Sequence, residues 1–186
     1  SDVGRATTGA AWGLLAKTFL YQGKWENALT AIAAVDALGL YNLQTVYKNS
    51  FIDSTQNNSE SLLEIQHLSN QLPKLGSHLN QYFSPPKDNG YYFNVPLQNF
   101  VDEFEQTVDD VFDPRLDYTV GRAGQKWVNG EDFDPTWSPT GYLQKKHVQP
   151  LKEEPIIGDA SLNYVYLRYA DILLMKAEAL NELNRA

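Results

Sequence analysis

From Ala6 to Leu40 the apolar residues return at helical spacing. Ala11, Leu14, Leu15, Thr18 and Phe19 fall on one face, Gln22 and Gly23 interrupt, and Ala28, Leu29, Ile32 and Val35 form a second face. The pattern predicts a helical hairpin over residues 6–40, with Gly23 and Gly39 in the left-handed backbone that ends each helix. On this reading Trp12 and Trp25 belong to the core or to the contact between the helices. Near the other end Leu167, Ala170, Leu173, Leu174, Ala177 and Leu180 make a stripe that predicts a terminal helix over residues 166–184. Arg168 and Asp171, spaced for one helix face, are expected to pair there, with Glu178 and Glu182 extending the polar side.

Between these ends the helical period is lost, and residues 41–165 read as a loop-rich insertion with a few short strands. A polar run, NSFIDSTQNNSES, precedes SLLEIQH, where Leu62, Leu63 and Ile65 predict a short strand or extended edge. From Leu72 to Val95 the breakers Pro73, Gly76, Pro85, Pro86 and Gly90 predict loop. PLQNFVDEFEQ predicts a helix opened by Pro96, with Leu97, Phe100, Val101 and Phe104 on one side. A turn at Asp113 and Pro114, capped by Asp113, leads to LDYTV as a strand, and Arg115 is expected to anchor the turn to a carboxylate. A long aromatic loop from Gly124 to Gly141 separates it from a second strand, YLQKKHV. The fold class expected is mainly α, with tetratricopeptide-like helical hairpins around that insertion. Trp12, Leu15, Ala16, Phe19, Gly23, Trp25, Ala28 and Ile32 match one repeat of that kind. A single repeat cannot bury its apolar face, and the terminal helix lacks a returning partner, so the chain is expected to be cut from something longer.

Composition narrows the functions open to such a fold. The 186 residues suit one compact domain, with 42% apolar and 20% charged residues. A net charge of -8 without an offsetting basic cluster excludes nucleic acid as the expected partner. There is no cysteine for a disulfide, a thiolate metal site or a lipid anchor. The first residues do not read as a secretion signal, and no apolar stretch nears the ~20 residues that span a bilayer.

Candidate chemistry concentrates in the insertion. Sugars present flat C–H patches beside hydroxyl groups, so a sugar-binding surface needs exposed aromatic faces next to hydrogen-bonding side chains. Trp127 and Trp137 lie beside Asn129, Glu131, Asp132 and Asp134 in the aromatic loop and fit that need; the structural alternative is that both tryptophans cap a core. Tyr91 and Tyr92 in DNGYYFNVP are a second aromatic candidate, which stacks on sugar or alternates in and out of an edge strand. Asp109, Asp110, Asp132 and Asp134 offer carboxylates for glycoside hydrolysis, but nothing in their spacing defines a facing acid and base, and a solvated surface is the expectation. His67, His78 and His147 have no second histidine at zinc spacing, and NGEDFD lacks the spacing of a calcium loop. No catalytic residue, metal or cofactor is expected.

Taken in order, GRATTGAAWGLLAKTFLYQGKWENAL, NNSESLLEIQ, DPRLDYTVGR, GYLQKKHV and YLRYADILLMKAEALNEL resemble the SusD/RagB family. The resemblance covers most of the chain. It implies a helical, non-enzymatic protein that is lipid-anchored outside the outer membrane of Bacteroidetes and holds oligosaccharides, or sometimes peptides, over a SusC-like TonB-dependent transporter. Residues 1–186 are then expected to be one partial SusD-like domain, lacking the N-terminal helical region, the lipidated cysteine and the closing helix, with membrane contact only through that absent anchor. On this reading Trp127, Asn129, Asp132, Trp137, Tyr91 and Tyr92 are the ligand-binding candidates. The competing reading is a helical-repeat adaptor for a protein or peptide, which accounts for both helical ends but not for the insertion.

Overall fold

A computed structural model describes residues 4–104, 113–151 and 158–185. The chain divides into two compact units: Ser1–Val46, Thr55–Gln66 and Val165–Ala186 form one, and Tyr47–Ser54 with His67–Tyr164 the other.

The first unit contains the hairpin, α1 (Thr8–Tyr21) and α2 (Trp25–Asp36). Thr7 caps α1 by accepting the Ala10 N–H at 3.1 Å. At its other end Gly23 has φ +66°, and the Lys24 N–H reaches the Phe19 carbonyl at 2.9 Å, closing the helix as the glycine predicted. The face that α1 buries differs from the predicted one. Gly9, Ala10, Gly13, Ala16 and Leu20 point inward, whereas Trp12 and Leu15 are exposed and Thr18 turns back to the Leu14 carbonyl at 2.9 Å. The reason is close packing: a Cβ at Gly13 would lie 2.6 Å from Leu167 and 3.0 Å from Leu62. Only a small-residue face admits so close a neighbour, so of the predicted stripe Leu14 and Phe19 pack at the edge of the core while Leu15 is turned away. In α2 the expected Ala28, Ile32 and Val35 are buried, and Trp25 packs partly against the same core.

The terminal helix is shorter than predicted. Tyr164–Arg168 is a strand, β4, that pairs with β1 (Ser61–Ile65), and α6 spans Tyr169–Glu182. Its inward residues are Ile172, Met175 and Ala179, while Leu174 of the predicted stripe is exposed. Arg168 caps α6 in extended backbone, φ −119° and ψ 159°, which removes the helical geometry for pairing with Asp171. It pairs instead with buried Glu60, which also accepts the Gln44 N–H at 2.8 Å. Asp36 accepts bonds from the Tyr169 hydroxyl at 3.0 Å and Lys176 at 2.9 Å, tying α2 to α6. Those bonds raise the pKa of both the Tyr169 phenol and the Lys176 ammonium.

The second unit is loop-rich, with short elements. The stretch read as loop carries α3 (Leu79–Phe83) and a 3-10 turn at Pro86–Asp88. In the PLQNFVDEFEQ segment, α4 covers Gln98–Asp102, capped at Leu97, with Leu97 and Phe100 exposed; Glu105 and Gln106 lie outside the described residues. LDYTV is mostly helix, α5 (Pro114–Thr119), because Asp113 accepts the Arg115 N–H at 2.8 Å and proline occupies the first turn. Arg115 also pairs with the Asp113 carboxylate, as expected. Only β2 (Val120–Gly121) remains of that strand, antiparallel to β3 (Leu143–Gln144) with Val120 opposite Gln144. Buried Asp159 joins distant segments by accepting the Asn70 and Gly76 N–H groups at 2.8 and 3.1 Å.

Candidate functional site

Two aromatic clusters in the second unit carry the candidate residues. The first is folded from the loop that begins at Gly124. Lys126 bridges to Asp132, the Trp127 N–H donates to the Glu131 carbonyl at 2.8 Å, and the Phe133 N–H to the Gln125 carbonyl at 3.0 Å. This hairpin turns Trp127 and Phe133 inward, where they join Phe83, Leu143 and Val148 in a buried core. Trp127 is only 3% exposed, so the expectation of an exposed face there is corrected. Gly121 of β2 runs under the rings, and a Cβ there would lie 2.7 Å from Trp127 and 2.8 Å from Phe133.

Trp137 sits at the rim, half-buried, its ring 6.1 Å from that of Trp127 and 5.1 Å from that of Phe133. The Lys87 ammonium stands 4.9 Å over the Trp137 ring and pairs with Glu131 at 2.6 Å and Asp88 at 2.9 Å. Burial opposes the Lys87 charge, but the two carboxylates outweigh it and raise its pKa. Glu131 is held below its usual range by Lys87 and by Asn129, whose amide donates at 2.7 Å. Asn129, Trp137, Glu131 and Lys87 are therefore linked, while Asp132 points to solvent on Lys126 and Asp134 caps the 3-10 turn by accepting the Thr136 N–H at 2.8 Å. Asp109 and Asp110 lie outside the described residues.

The second cluster lies where the chain leaves α3 and folds back. Asn89 takes a left-handed φ of +57°, and Gly90 lies so close to Ser84 that a Cβ would stand 2.0 Å from its carbonyl oxygen. The returning strand of chain then donates from Tyr91 to the Gln81 carbonyl at 2.9 Å and from Phe93 to the Tyr82 carbonyl at 2.8 Å. Tyr82, Tyr91 and Phe93 consequently share one side, with centroid distances of 6.3 Å for Tyr82–Tyr91, 5.8 Å for Tyr82–Phe93 and 5.4 Å for Tyr91–Phe93. His78 stacks on Tyr82 at 6.1 Å. These three rings are 37%, 45% and 53% exposed, respectively, which makes a continuous aromatic ridge. Tyr92 is 41% exposed with φ +42°, so the pair does not alternate in and out of an edge strand.

Sequence reasoning missed Tyr82 and Phe93. The signal was present: QYF and YYF flank SPPKDNG, whose prolines and Asn-Gly pair form a turn able to lay one aromatic run on the other. Reading those breakers only as loop hid the pairing.

The described residues thus form a helix-rich chain with a loop-built insertion that carries an exposed aromatic ridge. The SusD family model matches residues 45–186, and the chain belongs to that family. A SusD-like carbohydrate-binding protein of Bacteroides fragilis is 26% identical, with a TM-score of 0.82 over 98% of this chain and 41% of that one. A SusD superfamily protein of Bacteroides vulgatus is 25% identical, with a TM-score of 0.79 over 100% of this chain and 44% of that one. Surface glycan-binding protein A of Bacteroides fluxus shares the fold at 22% identity, with a TM-score of 0.75 over 98% of this chain and 41% of that one. This chain thus spans less than half the length of these structures. Comparison with curated proteins gave no significant match.

Proposed function

We propose that this chain is part of one SusD-like domain that binds oligosaccharide or polysaccharide without cleaving it, at the outer face of a bacterial outer membrane, for delivery to a SusC-like TonB-dependent transporter. The observation that carries the reading is the exposed ridge of Tyr82, Tyr91 and Phe93. Aromatic faces of this size left in water match the C–H faces of a pyranose, and the neighbouring Tyr92 and the rim group of Trp137, Asn129 and Lys87 add further ring and hydrogen-bonding surface. Of the other candidates in that loop, Asp132 faces solvent and Trp127 acts as the buried support beneath the Trp137 rim. Family membership and the carbohydrate-binding relative support the same ligand class. The carboxylates of the aromatic loop support a binding role, since Glu131 is engaged by Lys87, Asp132 by Lys126 and Asp134 by its own turn.

Calorimetric titration against soluble neutral polysaccharides tests the reading. Binding that weakens in Tyr91→Ala and Phe93→Ala, with the sugar recovered intact, supports it; binding unchanged in both variants, or release of shorter sugars, overturns it.

A further inference from the structure

The sequence is acidic, with a net charge of -8, yet a cavity of about 520 Å³ in the second unit is walled by Lys48, Lys126 and Lys145 against a single carboxylate, Asp53. Lys126 is matched by Asp132, and Asp53 accepts a bond from the Ser161 hydroxyl at 2.7 Å. Neither Lys48 nor Lys145 forms an ion pair with a described residue. By contrast Lys87 and Lys176 each hold a carboxylate, and Lys146 lies over the rings of Tyr47 and Phe51. Among the described residues, two cations without an ion-pair partner on one cavity of an acidic protein are an unbalanced arrangement, with the Asp117 carboxylate acting on Lys145 only beyond ion-pair distance. Lys145 donates to the Lys126 carbonyl at 2.9 Å, which leaves other ammonium hydrogens for a ligand. Burial pushes the Lys145 ammonium below its usual range, with Asp117 opposing the shift and Arg122 adding to it, so an oxyanion docked beside it would favour the charged form.

The remaining wall suits a sugar ring. Phe51 and Tyr118 supply aromatic surface, with buried Trp127 behind them, and Gln149 a side-chain amide. The volume falls within the several-hundred-Å³ range of sites for small ligands. We propose that this cavity receives the oxyanion of an acidic sugar unit, a uronate carboxylate or a sulfate ester, with Lys48 and Lys145 as its cationic contacts. The inference rests on the glycan-binding reading above and sharpens its ligand class.

The test compares matched probes on the intact chain. Oligogalacturonate is titrated against its fully methyl-esterified form, and a sulfated galactan oligosaccharide against its desulfated form. At least one charged probe is expected to bind about tenfold or more tightly than its neutral counterpart, with Lys48→Gln and Lys145→Gln each removing most of that preference. Exposed Lys48 is the safer substitution, and a thermal melt confirms folding of both variants. A preference confined to one pair identifies carboxylate or sulfate as the source. Equal affinity within both pairs, or a preference that survives Lys48→Gln in the folded protein, overturns the proposal. In that event neutral-sugar binding that is lost in Tyr91→Ala leaves the glycan reading standing, whereas failure of every glycan to bind overturns both.

Discussion

The two aromatic clusters of the second unit use similar residues to opposite ends. In the loop beginning at Gly124, backbone bonds from Trp127 and Phe133 close a small hairpin whose large rings face inward, over a glycine in β2. In the return from α3, Gly90 presses the chain onto the backbone at Ser84, and the rings of Tyr82, Tyr91 and Phe93 face water. The first region held the more sugar-like composition, two tryptophans among polar side chains, and became mostly core. An aromatic ring contributes a large hydrophobic gain wherever it can be covered, so composition alone does not separate a platform from a plug. Backbone path separates them: a closed hairpin over a strand gives its rings a surface to cover, and a return onto a five-residue helix does not.

Substitutions break or sharpen this contrast, beginning with the largest effect. Trp127→Ala should cost about 3–5 kcal/mol of stability, because it empties a core position, and the thermal or denaturant midpoint of unfolding measures it. Loss of glycan affinity with no loss of stability would make Trp127 a platform after all. Acid is next. His147 sits against Tyr164 and Phe51, and burial, with Lys146 beside it, lowers its pKa to about 4, although a bond to Asn163 opposes the shift. The unfolded chain binds its proton near pH 6.5, so stability is full above that pH and falls as pH drops towards 4. The loss is on the order of 2–3 kcal/mol and should flatten in His147→Gln, read from unfolding midpoints across pH. Gly121→Ala, which forces a Cβ against two rings, should cost about 1–3 kcal/mol by the same measurement.

The ridge should respond in the other sense. Tyr91→Ala or Phe93→Ala should leave the unfolding midpoint within about 1 kcal/mol of the parent while lowering affinity for a bound glycan roughly three- to tenfold, measured by calorimetry. A large stability loss at Tyr91 would erase the distinction between the regions. Asp132→Ala, which removes one member of an exposed pair, should change the unfolding midpoint by no measurable amount.

Legibility followed locality. The hairpin and its glycine stop were readable because helical spacing and a left-handed terminus are properties of neighbouring residues. The Asp113 cap is readable for the same reason, yet the β-forming residues of LDYTV predict a strand that the proline-led first turn outweighs. The faces that α1 and α6 bury most deeply are not legible from spacing alone. Gly13 and Ala16 look weak as core residues until Leu62, Leu167 and Ile172 are seen to pack against them. Tyr91 and Tyr92 stand out as a pair in the sequence, whereas Tyr82 and Phe93 do not, since their partnership crosses a turn.

By itself the sequence determined the helical ends, the loop-rich insertion between them, the family and the stock of aromatic and acidic side chains, all encoded in short-range pattern. Tertiary structure alone decided which rings are covered, which lysines pair with a described carboxylate, and that Arg168 answers Glu60 instead of Asp171. Burial and charge pairing depend on surfaces brought together from distant segments, and no local pattern specifies what will lie on the other side.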